Sequence, residues 1–158
     1  MNEPQVAKLS RRPEGDVPGI PCPVAPATVE EFWPSIEQML RYMESWTKLL
    51  SAQDVRQGIA KGEMQLWAVR TRTDHVALAV TSIVNTGGGL VCRLWLIASH
   101  FLDDDRAIAA LLDLCETDAR MRKCVALEII AYPAWVERIG GRHTAVILER
   151  DFKAQGTH

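Results

Sequence analysis

The chain has 158 residues, 47% of them hydrophobic and 24% charged, with a formal net charge of −2. That profile suits one globular domain able to bury a core, and the near-neutral total argues against a general nucleic-acid or membrane-surface binder. No apolar run approaches the roughly 18–20 residues of a membrane span, and the polar, proline-rich start lacks a secretory pattern, so a cytoplasmic location is expected.

Residues 1–27 stand apart from the rest. They carry six of the eight prolines (Pro4, Pro13, Pro18, Pro21, Pro23 and Pro26) and few large apolar groups besides Ile20 and Val24. Such a segment buries too little surface to fold alone and favours extended conformations. It is expected to be an arm that docks on its own domain or on a neighbouring protein. Within it, residues 20–26 suit an edge strand, where proline is tolerated.

Thr28-Val29-Glu30-Glu31 has the spacing of a capping box. Proline is comfortable in a first turn, so the main helix is expected to restart at Pro34. From there Ile36, Met39, Leu40, Met43 and Trp46 keep an apolar stripe. Ser51 caps a second short helix carrying Val55, Ile59 and Ala60, and Gly62 ends it. Strands follow over 65–71, 76–85 and 90–99, and their short connections predict an antiparallel meander. The run Gly87-Gly88-Gly89 lies between two strands. A phosphate loop leads from a strand into a helix, so this run reads as a hairpin turn.

After the third strand, Ile108, Leu111, Leu112, Cys115 and Ala119 fall on one helical face. A further strand over 124–131 completes a strand–helix–strand crossover, which makes parallel neighbours with a right-handed connection. Ligands of such a sheet bind beyond the carboxyl ends of its strands. A short helix over 134–139, Gly140-Gly141 and a last strand over 144–150 close the order α-α-β-β-β-α-β-α-β. The fold class is therefore α/β with a mixed sheet, an antiparallel meander joined to a parallel β-α-β crossover. The domain is expected over 28–152, with a polar tail at 153–158. Cys22, Cys92, Cys115 and Cys124 show no Cys-x-x-Cys spacing, so no metal site is expected and the thiols read as reduced.

Local sequences within that order carry a resemblance. Phe32-Trp33-Pro34 opens the first helix and Asp54-Val55 lies in the second. Gln65-Leu66-Trp67-Ala68-Val69 and Ala79-Val80-Thr81-Ser82-Ile83 are successive strands. Ala126-Leu127-Glu128-Ile129 precedes Trp135-Val136-Glu137-Arg138-Ile139-Gly140-Gly141. Over residues 28–152 the chain resembles the GNAT (Gcn5-related N-acetyltransferase) family, and looks most like the short, divergent GNAT-like proteins of tailed bacteriophages.

The resemblance implies acyl transfer from acetyl-CoA to an amine. It also implies a Gln/Arg-x-x-Gly-x-Gly/Ala loop after the central strand, whose backbone N–H groups hold the pyrophosphate at a helix N-terminus. Here that position, marked by Ser99, Asp104 and Arg106, reads Ser-His-Phe-Leu-Asp-Asp-Asp-Arg. It has no glycine and three carboxylates, and like charges a few Å apart cost on the order of 1 kcal/mol each. Arg106 offsets only part of this. The family's tyrosine acid falls at Val136 or Glu137 here, which leaves Tyr132 as the nearest tyrosine. Glu128 and His100 are the candidate general bases.

Two functions are expected from this reading. The favoured one is a GNAT-fold component of a phage particle or other assembly, without a cofactor and partnered through residues 1–27, by virion proteins or by self-association. The alternative is an active N-acetyltransferase using acetyl-CoA on a small amine or a host protein. Nucleic acid is not an expected partner, because Arg11-Arg12 and Arg120, Arg122 and Lys123 read as solvated faces.

Overall fold

The computed structural model describes residues 21–44, 49–70, 75–99 and 105–130. In chain order these form β1 (Pro21–Val24), a 3-10 turn (Pro26–Thr28), α1 (Val29–Glu44), α2 (Ala52–Ala60), β2 (Gln65–Arg70), β3 (His75–Thr86), β4 (Gly89–Ser99), α3 (Asp105–Met121) and β5 (Ala126–Ile129). The strands make one five-stranded sheet in the order β1-β2-β3-β4-β5. Pairing is antiparallel from β1 to β4 and parallel between β4 and β5. This is the mixed α/β architecture expected from the sequence. The helix and strand expected over 134–150 lie outside the described residues.

Strand β1 answers the edge strand expected within 20–26. Cys22 pairs with Ala68 and Val24 with Leu66. Proline has no N–H, so the donors of this ladder come from Cys22 and Val24. Val24 is buried and its carbonyl also accepts from the Gln65 side-chain amide at 3.2 Å.

Each face of the sheet carries its own apolar layer. On one side Leu66, Ala68, Leu78, Val80 and Leu96 meet Val29, Ile36 and Leu40 of α1 and Val55 and Ile59 of α2. On the other, Trp67, Val69, Ala77, Ala79, Leu94 and Ile97 meet Ala107, Ile108, Leu111 and Cys115 of α3. Strand side chains alternate between faces, so β2 and β3 supply both layers. Burying each Leu or Ile contributes about 1.5–3 kcal/mol.

Helix α1 departs from the expected restart at Pro34, because it runs unbroken through that residue. The proline removes one backbone donor, yet Val29 on one side and Ile36 and Leu40 on the other are buried in the same layer. Burial of a continuous stripe outweighs the lost bond. The preceding turn is a separate 3-10 piece, closed by the Thr28 N–H and hydroxyl, both donating to the Ala25 carbonyl at 2.9 Å.

Helix α2 begins as its sequence reads. The Ser51 hydroxyl accepts from the Asp54 N–H at 3.1 Å, and the Asp54 carboxylate accepts from the Ser51 N–H at 2.9 Å. Gly62 follows the helix with φ +73°, a conformation that favours glycine. The Ser51 hydroxyl, then the Ser51 N–H, hold the Asp54 carboxyl below its ordinary value of 3.8. A carboxyl lowered on folding adds stability above its unfolded value and loses it as pH falls through the folded value. Ser51→Ala is therefore expected to cost about 1 kcal/mol at neutral pH, with a gap from wild type that narrows as pH falls below the ordinary carboxyl value. Chemical denaturation at several pH values checks this; a gap that widens in acid rejects it.

Gly87 and Gly88 form the tip of the β3–β4 hairpin, as expected from their place between strands. Gly89 has φ +126°, and a Cβ there would meet Val125 at 3.0 Å, so close approach and conformation both ask for glycine. Helix α3 ends with the Cys124 N–H donating to the Ala119 carbonyl and the Lys123 N–H to that of Arg120. This reverse turn places Lys123 at φ +60°.

Candidate functional site

At the level where a crevice is expected, beyond the carboxyl ends of β4 and β5, β4 carries one irregularity. Val80 pairs with Leu96, but the next residue of β3, Thr81, pairs with Leu94. Trp95 is the extra residue, a one-residue bulge. The side chains record it: Leu94 joins the layer under α3, while Trp95 and Leu96 both join the layer under α1 and α2.

Among the described residues the parallel pairing ends at the same level. Leu94 pairs with Ile129, and the Ile130 N–H donates to the Leu94 carbonyl at 3.0 Å. Among the described residues β4 has no neighbour on that side beyond this rung, although it continues to Ser99. Backbone groups alternate in direction along β3, so Thr81, Ala79 and Ala77 share one side. Their partners Leu94, Ile97 and Ser99 therefore turn N–H and C=O away from β3. Leu94 spends its carbonyl on Ile130. Among the described residues nothing pairs with those groups of Ile97 and Ser99, an edge able to pair with an extended, amide-bearing ligand.

Two indoles pin the bulge from opposite faces. Trp67 Nε1–H donates to Thr81 Oγ1 at 2.8 Å on the α3 side, with Trp67 and Thr81 both buried. Trp95 Nε1–H donates to Ser82 Oγ at 2.8 Å on the α1/α2 side. Consecutive hydroxyls of β3 thus fix the strand where its neighbour slips register. Beneath them, burial pushes the Cys92 thiol up to about 11 and the Cys115 thiol up to about 12, with neighbouring Cys124 adding to the first and Cys92 to the second. Both stay protonated at neutral pH and are poor nucleophiles. The described cysteines are all free.

The sequence candidates divide. Ser99 is the last residue of β4, opposite Ala77, and Arg106 is exposed near the start of α3. Glu128 lies on β5 opposite Arg93. Its Oε2 accepts from Arg93 Nη2 at 2.9 Å and Nε at 3.1 Å, so the carboxylate is engaged by a neighbouring strand. His100, Asp104 and Tyr132 lie outside the described residues. Sequence reasoning missed Trp95, Arg93, Thr81 and Ser82. The slip that unites them depends on strand register, which no local motif signals.

A second concavity, of about 340 Å³, lies between α1 and α2 and is lined by Trp33, Glu37, Arg41, Gln53 and Arg56. Arg56 donates to both oxygens of Glu30, at 2.8 and 2.7 Å, and stands 5.0 Å from the centre of the Trp33 ring. Arg41 pairs with Glu37 at 2.9 Å. Among the described residues no group of three His, Cys, Asp or Glu is placed to hold a metal ion. No described helix is long and apolar enough to cross a membrane.

No family model and no curated protein matches the sequence. Solved structures do match the fold. A ribosomal-protein-alanine N-acetyltransferase from Brucella melitensis biovar Abortus 2308 superposes with a TM-score of 0.64 at 15% identity, over 84% of this chain and 98% of that one. A transcriptional regulator from Bacillus halodurans C-125 gives 0.63 at 16% identity, over 84% and 98%. A predicted acetyltransferase from Clostridium acetobutylicum, solved with acetyl-CoA, gives 0.61 at 14% identity, over 83% and 94%. The fold is that of the GNAT acetyltransferases. Identities this low speak for the fold alone.

Proposed function

We propose that the chain is a GNAT-fold protein whose acyl-CoA site is degenerate at its pyrophosphate end. It works by contact within an assembly, in the setting of a phage particle that its sequence resemblance suggests, rather than by turnover. The observation that carries this reading is the start of α3. The described part of the helix begins at Asp105, which follows Asp103 and Asp104 in the sequence, and no glycine occurs from Ser99 to Arg106. A helix N-terminus favours an anion through free N–H groups and its dipole. The sequence supplies three consecutive aspartates before Arg106 and no glycine, a composition that disfavours an anion and a backbone wrapped round a phosphate. Arg106 supplies a single compensating charge.

The acyl-pantetheine end of acetyl-CoA fits better. Its extended amide arm has the form that the open backbone of Ile97 and Ser99 accepts. That edge favours a second reading, an active N-acetyltransferase with an atypical cofactor pocket, in which bound acetyl-CoA supplies the activated acyl group.

Calorimetric titration separates the two. Acetyl-CoA is expected to bind no more tightly than acetyl-pantetheine, which lacks the nucleotide phosphates, and Asp104→Lys to improve acetyl-CoA selectively. Micromolar binding of acetyl-CoA that Asp104→Lys tightens only slightly would sink the degenerate-site reading in favour of the enzyme.

A further inference from the structure

On the α1/α2 side of the sheet, one rung before the described β4–β5 pairing ends, a carboxylate and an indole enclose a single planar cation. Arg93 Nη2 and Nε both donate to Glu128 Oε2, at 2.9 and 3.1 Å, and the Arg93 Cζ stands 5.4 Å from the centre of the Trp95 ring. An aromatic face with a carboxylate beside it is how proteins recognise organic cations, the ring through its quadrupole and the carboxylate through charge-assisted hydrogen bonds.

The Trp95 ring and the Glu128 backbone are placed without the occupant. The Trp95 indole is anchored by its own bond to Ser82, and Glu128 is placed by the pairing of β5 with β4. The occupant is also weakly retained. The side chains of Arg93 and Glu128 are 29% and 44% exposed, and ion pairs this wet contribute little. Both donors converge on one oxygen, so among the described residues Glu128 Oε1 accepts no hydrogen bond.

We propose that Glu128 and Trp95 form a binding site for the guanidinium group of an external ligand, with Arg93 as its displaceable internal occupant. The planar fork of a guanidinium suits both walls, stacking on the ring while donating in the plane of the carboxylate; an ammonium lacks that shape. The site is reached from the solvent side and needs no cofactor, so it stands apart from the acyl-CoA reading.

Propylguanidinium is the probe, with propylammonium as comparator, both titrated into the full chain without acetyl-CoA. The readout is the Trp95 indole N–H resonance, identified by its loss in Trp95→Phe. Arg93→Ala vacates the site and is expected to bind propylguanidinium about tenfold more tightly than wild type, the strength of one exposed pair with its stacking. Arg93→Met, which keeps an apolar stem over the sheet, is the second variant and should behave alike. Adding Glu128→Gln to either should abolish the gain, and propylammonium should bind more weakly throughout. Three results overturn the proposal: no saturable shift in either Arg93 variant, affinity no better than wild type, or binding indifferent to Glu128→Gln.

Discussion

Leu94→Ala is expected to lower the stability of the chain by about 2–5 kcal/mol, the range for truncating a fully buried leucine. Leu94 has no exposed surface and lies in the layer between the sheet and α3 with Trp67, Ile108 and Leu111. It is also the residue at which the bulge begins and the last to pair with β5. The cavity would open beside the bulge, where α3 and the anchored Trp67 indole limit collapse. Poor collapse places the cost in the upper part of the range. For a chain of this size a loss of about 3 kcal/mol lowers the melting temperature by on the order of 10 °C. Leu90→Ala is the control on the same strand: Leu90 is 38% exposed, so its truncation should cost under about 1 kcal/mol. Equal losses at the two positions in denaturant unfolding would refute a core organised around Leu94.

The second large effect follows from the buried indole. Thr81→Val keeps the shape of the side chain and removes the acceptor of Trp67 Nε1–H, which has no route to water with both residues buried. A buried donor left without a partner costs about 1–3 kcal/mol, more than the bond itself contributes. Ser82→Ala removes the matching acceptor of Trp95, but that bond is only part-buried. Water can replace the hydroxyl there, and the expected loss is about 0.5–1.5 kcal/mol. The order of the two variants, Thr81→Val below Ser82→Ala in urea midpoint, is the discriminating result. A reversed order would mean that the α1/α2 side, not the α3 side, holds the bulge.

Much of the scaffold can be read from the chain itself because it rests on short-range periodicity. Ile108, Leu111, Cys115 and Ala119 announce one face of α3, and all four are buried. Gly87 and Gly88 announce the hairpin tip, and the Ser51–Asp54 spacing announces the start of α2. Proline misled where a local rule met a tertiary one: Pro34 predicts a break, yet burial on both sides carries α1 through it. The end of α3 carries no glycine signal, because Lys123 adopts the left-handed conformation in its place. The bulge is invisible for another reason. Leu94-Trp95-Leu96-Ile97 is apolar throughout, so no alternation exists for the extra residue to interrupt. Glu128 illustrates the same limit: a strand carboxylate is more often a salt-bridge partner than a base, and only the register that brings Arg93 from 35 residues away decides its partner.

The register of β1 has one more consequence. With Cys22 and Val24 turned toward β2, the backbone positions facing away from the sheet are Pro21 and Pro23. Neither can donate a hydrogen bond, so over its short length this border offers an approaching strand acceptors alone. An exposed sheet border normally invites templated growth between copies. Among the described residues, two prolines remove the donors that such growth would use at this border. At this border, contacts with another chain fall to carbonyls and side chains rather than to a two-way backbone ladder.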